Sequence, residues 1–135
     1  MVDNRSWREA EPVEVPGKIL ERLREICATL PDAEHDGSSY GARWRIRKRT
    51  FLAVRTRLLD GVPVTRLQFR SSDPEFEFLI GTGPPFARAG WGTDVVNMYL
   101  LTTTDWAEVA ELVTESYCVM APKRLATLAR DGAAH

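Results

Sequence analysis

Arginine is concentrated in one stretch of the chain, and its side chain is the one best suited to binding phosphate groups. Residues 41–70 contain nine of the eighteen Lys and Arg residues and a single acid, Asp60, so this stretch carries a charge of +8. Because the whole chain of 135 residues has a net charge of −1, the remainder sums to −9. A guanidinium group donates two parallel hydrogen bonds to a phosphate or a carboxylate. Binding of an anion is therefore expected in this stretch.

The arginines of this stretch alternate with apolar residues, and that period of two is typical of half-buried β-strands. Trp44 and Ile46 are the apolar members of the first strand, and a second strand extends to Leu59. Asp60-Gly61 predicts a two-residue turn, since a type I′ turn needs positive φ at both central positions. A third strand then returns along 62–70. Consecutive strands joined by tight turns are antiparallel.

The Asp-Gly turn also predicts which arginines face one another across the strands. Closing this turn places Arg55 opposite Arg66, on the face away from the apolar side chains. A preceding turn at residues 48–50 places Arg43 opposite Arg55 as well, which predicts a row of three arginines across three strands. Four further arginines flank the row. We call the whole set the arginine face: Arg43, Arg45, Arg47, Arg55, Arg57, Arg66 and Arg70.

The arginine face is more basic than stability alone explains. Like charges directly opposite one another destabilise a sheet, yet this face is expected to contain no acid. Such departures from local consistency tend to mark functional sites. The sequence therefore predicts a non-enzymatic protein that binds an anionic polymer, above all the DNA backbone, without reading base sequence. The predicted contact residues are the arginine face and the turn residues Lys48 and Arg49, with Arg88 and Trp91 as additional candidates.

A structural interpretation of the same face stays open. Antiparallel sheets commonly expose one face to solvent, and arginine is an ordinary residue on such a face. Acidic helix residues, the tail or a second subunit would then neutralise the charge.

The other motifs of the chain predict no catalytic or metal centre. Residues 81–83 read Gly-Thr-Gly but lack the Gly-Lys-Ser/Thr ending of a phosphate loop. Ser38 and His35 share a loop with no identifiable orienting acid. Cys27 and Cys118 lie in helical patterns beside apolar residues and are expected to be buried, reduced thiols. We therefore expect no enzyme activity, no metal and no cofactor, and the residues identify no small-molecule ligand, although a small anionic metabolite stays open as the occupant of the basic stretch.

Helical spacing of apolar residues predicts the elements that accompany the strands. One helix begins after Pro16, a second at Pro74, and a long third helix is capped by Asp105. Residues 95–101 predict a further strand, with a short edge strand within 86–91. The element order is then α-β-β-β-α-β-β-α. Because each strand has one apolar face, we expect a two-layer α+β domain with an antiparallel sheet of about five strands and helices on one face.

The length fits one domain. Polar residues and prolines predict a flexible arm at 1–15, a single domain at 16–130 and a mobile tail at 131–135. The chain shows no apolar run of the kind that forms a secretory signal or a membrane span, so we expect no membrane partner. Together with the unpaired cysteine pattern, this favours the cytoplasm.

Five short motifs, taken in their order and spacing, are similar to a known family. They are Leu30-Pro31-Asp32-Ala33-Glu34, the run Trp44-Arg45-Ile46-Arg47-Lys48-Arg49-Thr50-Phe51-Leu52, Trp106-Ala107-Glu108-Val109-Ala110-Glu111-Leu112-Val113, Glu115-Ser116-Tyr117, and Ala121-Pro122-Lys123-Arg124-Leu125. Over about residues 17–130 the chain resembles the MmcQ/YjbR-like family of small bacterial proteins. The resemblance implies a secretion-chaperone-like fold with an antiparallel sheet, and it implies DNA binding. Where family members often carry a lysine-rich step before a Trp or a Tyr-Asp-Gly step, residues 86–92 have only Arg88 as a basic residue.

The fold that the resemblance implies also supports an alternative function. The chain would then be a protein–protein interaction module, homodimeric in one version, with no role in binding nucleic acid.

Overall fold

The computed structural model of the protein describes residues 3–133, and the side chains of residues 3–132. The helices in this part of the chain are α1 (Asn4–Glu9), α2 (Gly17–Ala28), α3 (Glu75–Thr82), α4 (Trp106–Met120) and α5 (Lys123–Ala133). The strands are β1 (Glu11–Val13), β2 (Glu34–Ser38), β3 (Gly41–Ile46), β4 (Arg49–Leu59), β5 (Val62–Arg70), β6 (Phe86–Arg88) and β7 (Val95–Tyr99).

These strands form one antiparallel sheet with the order β2-β3-β4-β5-β7-β6. β1 pairs with the end of β4 that β3 leaves free. Apolar side chains of β3, β4, β5 and β7 form one core with side chains of α2, α4 and α5, among them Leu23, Val54, Val113 and Leu125. The two-layer α+β architecture with an antiparallel sheet is therefore confirmed.

The sheet contains two more strands than expected, β1 and β2. All five residues of β2 are exposed, so this strand shows no apolar alternation, and β1 has only three residues. Their strand conformation depends on backbone pairing with β3 and β4, and a pattern of apolar residues does not report such pairing. The segment of His35 and Ser38, predicted as a loop, is therefore an edge strand.

The N-terminal segment is folded where a flexible arm is expected. The carboxylate of Asp3 accepts a hydrogen bond from the backbone N–H of Ser6 at 2.6 Å and so caps α1. Trp7, on this helix, is 2 % exposed. The expectation of a flexible arm is therefore wrong for residues 3–15, because a buried aromatic side chain holds them against the sheet. Helix α1 lies on the face of the sheet opposite the other helices, because Trp7 packs against Arg57 and Arg66 on that face.

The C-terminal helix α5 extends through residue 133, within the segment expected to be a mobile tail. Residues 1, 2, 134 and 135 lie outside the described part of the chain. None of the helices within residues 3–133 is long and apolar enough to cross a membrane.

The turn between β3 and β4 has two residues, where a three-residue turn at 48–50 is expected. Arg47 and Lys48 have φ angles of 51° and 68°, and Ile46 pairs with Arg49 across them. Positive φ at both positions is the geometry of a type I′ turn, for which Arg-Lys gives no sequence signal. The predicted turn therefore begins one residue too far along the chain.

β4 also contains an extra residue beside β3. Trp44 pairs with Leu52, and the residue after Trp44 pairs with Thr50, so Phe51 has no partner in β3. A β-bulge of this kind lets consecutive side chains point to one face, and Phe51 and Leu52 are both buried in the core. The Ser116 hydroxyl on α4 donates to the Phe51 carbonyl at 2.5 Å and holds the bulge in place.

Candidate anion-binding site

A row of polar side chains crosses the outer face of the sheet, the face opposite α2, α4 and α5. Arg55 on β4 pairs with Arg66 on β5, and Arg66 pairs with Tyr99 on β7. Alternate residues of a strand point to opposite faces, and the neighbours Val54 and Leu67 are fully buried in the core. The predicted pairing of Arg55 with Arg66 is confirmed.

Arg43 does not join this row. It lies opposite Ala53, two residues along β4 from Arg55, because the two-residue turn and the bulge at Phe51 shift the register of β3. The predicted row of three arginines is therefore wrong. Arg43 is still on the outer face, since its neighbours along the strand are buried on the core side, and its side chain is 51 % exposed.

The edge strand β2 brings a carboxylate onto the outer face. Arg43 donates through Nε and Nη2 to Asp36 Oδ2, at 3.2 and 3.1 Å, and Arg45 Nη2 lies 3.9 Å from the same oxygen. The hydrogen bond and the charge of Arg43 hold the pKa of Asp36 below its ordinary value. The expectation of a face without acids is therefore wrong. No apolar pattern predicts a strand around Asp36, because this segment reads as a loop.

Helix α1 covers the β5–β7 half of the outer face. The guanidinium of Arg66 lies 4.2 Å from the centroid of the Trp7 ring, and the Tyr99 ring meets Trp7 edge-on at 6.1 Å. Beside them, Asn97 Nδ2 donates to Asn4 Oδ1 at 3.4 Å. A cation held against an aromatic ring is stabilised by the ring quadrupole. Arg66 is thus part of the packing beneath α1.

Arg57 caps the C-terminal end of α1. Its Nη1 donates to the carbonyl oxygens of Trp7 and Arg8, at 2.8 and 3.2 Å, and the Trp7 carbonyl also accepts from the backbone N–H of Ala10 at 3.2 Å. Burial and the nearby charge of Arg55 lower the pKa of Arg57. Burial, chiefly, and then the charges of Arg57 and Arg55 lower the pKa of Arg66. Both remain protonated at neutral pH, because the ordinary pKa of arginine is so high.

The β3–β4 half of the outer face is left open by α1. Arg55 is exposed, and its side chain crosses β3 at Gly41, where a Cβ atom would lie 2.7 Å from Arg55 Nη1. Within residues 3–132, no carboxylate lies at ion-pair distance from Arg55. The open half of the arginine face therefore presents Arg55 and Arg43 to solvent.

The ends of the arginine face carry two more paired arginines. Arg70 Nη1 contacts Asp94 Oδ1 at 2.8 Å, and its guanidinium lies 5.2 Å from the centroid of the Trp91 ring. Trp91 is 53 % exposed, so this additional candidate lies at the edge of the outer face. Arg47, in the turn, lies 3.8 Å from Asp32.

Three of the predicted contact residues are not brought together with Arg55. Lys48 is exposed in the β3–β4 turn. Arg49 donates to the Met120 carbonyl of α4 at 3.5 Å, which places it on the helix side of the sheet. Arg88 contacts Glu77 of α3 at 2.9 Å, also away from the arginine face. The prediction that Arg49 and Arg88 share one surface with the arginine face is therefore wrong, because both side chains point toward helices.

The arginine face keeps an excess of positive charge after these contacts. Its seven arginines meet three aspartates, Asp32, Asp36 and Asp94, among the described residues. Arg43 and Arg45 share Asp36, and Arg55, Arg57 and Arg66 have no carboxylate partner within residues 3–132. The face remains basic even though part of it is used to hold α1.

The cysteines and histidines form no reactive group in the described chain. Burial raises the pKa of Cys27 to about 12 and also raises that of Cys118, so neither is a thiolate at neutral pH. The His35 ring lies 4.9 Å from the ring of Trp44. Between residues 3 and 133, no three His, Cys, Asp or Glu side chains are grouped so that they could hold a metal ion.

Comparison with known proteins identifies a structural neighbour. The sequence matches no family model and no curated protein. The crystal structure of the Deinococcus radiodurans protein DR2400, with family-model domain DUF419, is similar with a TM-score of 0.59. The likeness covers 82 % of this chain and 80 % of that chain at 18 % sequence identity, which shows the fold alone. DUF419 is related to the MmcQ/YjbR family.

Proposed function

We propose that this chain is a member of the MmcQ/YjbR family and that it is a non-enzymatic binder of an anionic polymer, in the first place the DNA backbone. The observation that carries the proposal is the charge excess of the arginine face, where seven arginines meet three aspartates and Arg55, Arg57 and Arg66 have no carboxylate partner within residues 3–132. A polymer of phosphates would satisfy these cations without any base-specific contact. Two free cysteines fit a reducing compartment, so we place this activity in the cytoplasm.

The open half of the face is where the polymer would lie. Arg55 and Arg43 are exposed there, whereas Arg57 and Arg66 are engaged with α1 and act through their charge alone. The crevice beside Trp91 has a volume of only about 30 Å³, which is room for little more than a water molecule. A shallow basic surface suits a backbone better than it suits a small metabolite.

The test is binding of a fluorescently labelled DNA duplex, followed by anisotropy at increasing salt. Two to four phosphate contacts predict a slope of about −2 to −4 in log K against log salt, and a Kd of about 10⁻⁴ to 10⁻⁶ M at physiological salt. The double variant Arg43→Glu/Arg55→Glu should lose at least about tenfold in affinity and flatten the slope. Arg66 is a poor choice for this variant, since its change would also undock α1.

The matched control reverses two charges on the other side of the sheet. Lys18 and Arg24 of α2 are exposed, so Lys18→Glu/Arg24→Glu changes the net charge by the same amount. The proposal requires that the affinity of this control for the duplex stays within about threefold of wild type, because only the net charge of the protein has changed. Equal losses in the two double variants, or no binding by wild type, would reject it.

A second candidate function is homodimerisation through a sheet edge. β2 lies at the end of the sheet and all five of its residues are exposed, so its free edge can pair with another strand. Light scattering over a range of concentrations tests this: a dimer is expected, and a monomer at all concentrations contradicts it.

A further inference from the structure

The helix side of the molecule carries an open groove of about 970 Å³ between α2, α3, α4 and α5. This volume reaches the upper end of the range of ligand sites in proteins. Its floor and walls include the apolar side chains of Ile26, Leu30, Leu79 and Leu112. The groove lies on the side of the sheet opposite the arginine face, so it is separate from the proposed polymer site.

The charged side chains that line the groove are acidic with one exception, Arg130. We call this groove the glutamate groove after its five carboxylates: Glu25, Glu75, Glu108, Glu111 and Glu115. Among residues 3–132, Arg130 is the one cation that contacts any of them, through Glu115 at 3.3 Å. Burial, and then the charge of Glu115, raise the pKa of Glu75.

A large aromatic side chain stands exposed at the rim of the groove. Phe78 lies on α3 and lines the groove, yet it is 73 % exposed, the highest exposure of any large apolar side chain in the described residues. Its neighbours on α3, Phe76 and Leu79, are buried in the core. An exposed aromatic beside an apolar floor is a common anchor of protein-binding surfaces.

The chemistry of the occupant follows from this lining. Five carboxylates around an apolar floor match a segment that carries Lys or Arg on one side and apolar residues on the other. The walls are helices, whose backbone groups are already paired, so the groove offers no free strand edge to an extended peptide. We infer that the glutamate groove binds a basic amphipathic helix of a partner protein, with Phe78 packed against the apolar side of that helix.

The test uses an end-blocked, fluorescently labelled peptide of about four helical turns, with Leu on one face and Lys on the other. Anisotropy measures its Kd for the intact protein, and a scrambled peptide of the same composition measures attraction by charge alone. The amphipathic peptide should bind at least about tenfold more tightly than the scrambled one, because only it presents a continuous apolar face. Phe78→Ala should weaken its binding by about tenfold, and Glu25→Gln/Glu111→Gln by about fivefold.

The control variants remove similar groups outside the groove. Val62→Ala truncates another exposed apolar side chain, at the β4–β5 hairpin, and Glu14→Gln/Glu21→Gln removes two exposed carboxylates. Both should bind the peptide like wild type. Unchanged affinity in Phe78→Ala, or equal binding of the scrambled peptide, would overturn the inference. A wild-type dimer in sedimentation that Phe78→Ala dissociates would overturn it too, since a second copy would then occupy the groove. DNA binding by Phe78→Ala should be unchanged, so the two proposals fail separately.

Discussion

The arginine face and the glutamate groove both crowd like charges together, yet the fold accommodates the two in different ways. Arg57 and Arg66 are taken into the structure, where one donates to carbonyls of α1 and the other lies against Trp7. In the glutamate groove, Glu115 alone contacts a cation among residues 3–132. A guanidinium can stack on a ring and donate to carbonyls, whereas a carboxylate can only accept. The crowded arginines therefore hold helix α1 against the sheet. The crowded glutamates have no comparable partner and leave the glutamate groove open to solvent.

The largest expected effect concerns the covered half of the arginine face. Trp7→Ala should lower the free energy of unfolding by about 3 kcal/mol, because it removes a buried ring together with its contacts to Arg66 and Tyr99. Urea unfolding measures the loss. Trp91→Ala is the control, since that ring is half exposed, and it should cost less than about 1 kcal/mol. Equal losses in the two variants would mean that α1 does not hold this face together.

The next effect concerns the bulge that separates Arg43 from the arginine row. The Ser116 hydroxyl donates to the Phe51 carbonyl and accepts from the backbone N–H of Arg70 at 2.7 Å. Ser116→Ala leaves both groups without this partner, and we expect a loss of about 2 kcal/mol in the free energy of unfolding. Amide exchange at Arg70 should speed up as well. Thr114→Ala, two residues earlier on α4, removes a hydroxyl that bonds only within its own helix and should cost less.

A smaller effect of opposite sign is expected in the glutamate groove. Glu75→Gln should raise the stability at pH 7 by less than about 1 kcal/mol, because burial and Glu115 disfavour the charged form of Glu75. The raised pKa means that the folded protein binds a proton more readily than the unfolded chain, so wild type gains stability as the pH falls through that pKa. The advantage of the variant should therefore vanish below the ordinary pKa of 4.5. Unfolding curves at several pH values check this.

The smallest effect is expected at the open edge of the arginine face. The pKa of Asp36 is lowered by Arg43, so its charged form stabilises the fold above the ordinary pKa of 3.8, and this contribution is lost as the pH falls through the lowered value. Asp36→Asn should slightly reduce the stability at pH 7 and leave it unchanged in strong acid, the reverse of Glu75→Gln. High salt should reduce the difference, since both partners are about half exposed. A difference that persists in acid would exclude this charge pair as its cause.

Much of the fold could be predicted from periodicity and from turn chemistry. The Asp60-Gly61 turn set the register of β4 and β5, and apolar spacing gave α2, α3 and α4. The β3–β4 turn could not be predicted, because Arg47 and Lys48 adopt positive φ without a residue that favours it. β2 could not be found either, since an edge strand with exposed side chains lacks any apolar pattern.

The candidate site was predicted less completely than the fold. The charge of 41–70 and the pairing of Arg55 with Arg66 were accessible from the residues. The helix that covers Arg66 was not, although a tryptophan in a polar N-terminal segment was the available signal, since an aromatic ring of that size gains most from burial. The aspartate beside Arg43 depends on a strand that no local pattern indicates.

The sequence by itself determined the segregation of charge, the two-layer architecture and the face of the sheet on which most of the arginines lie. These are local properties, since they depend on residue type and on the period of each element. Tertiary structure alone decided which arginines remain free to bind. That choice depends on distant segments, because Trp7 reaches Arg66 and Asp36 reaches Arg43 only once the whole sheet has formed.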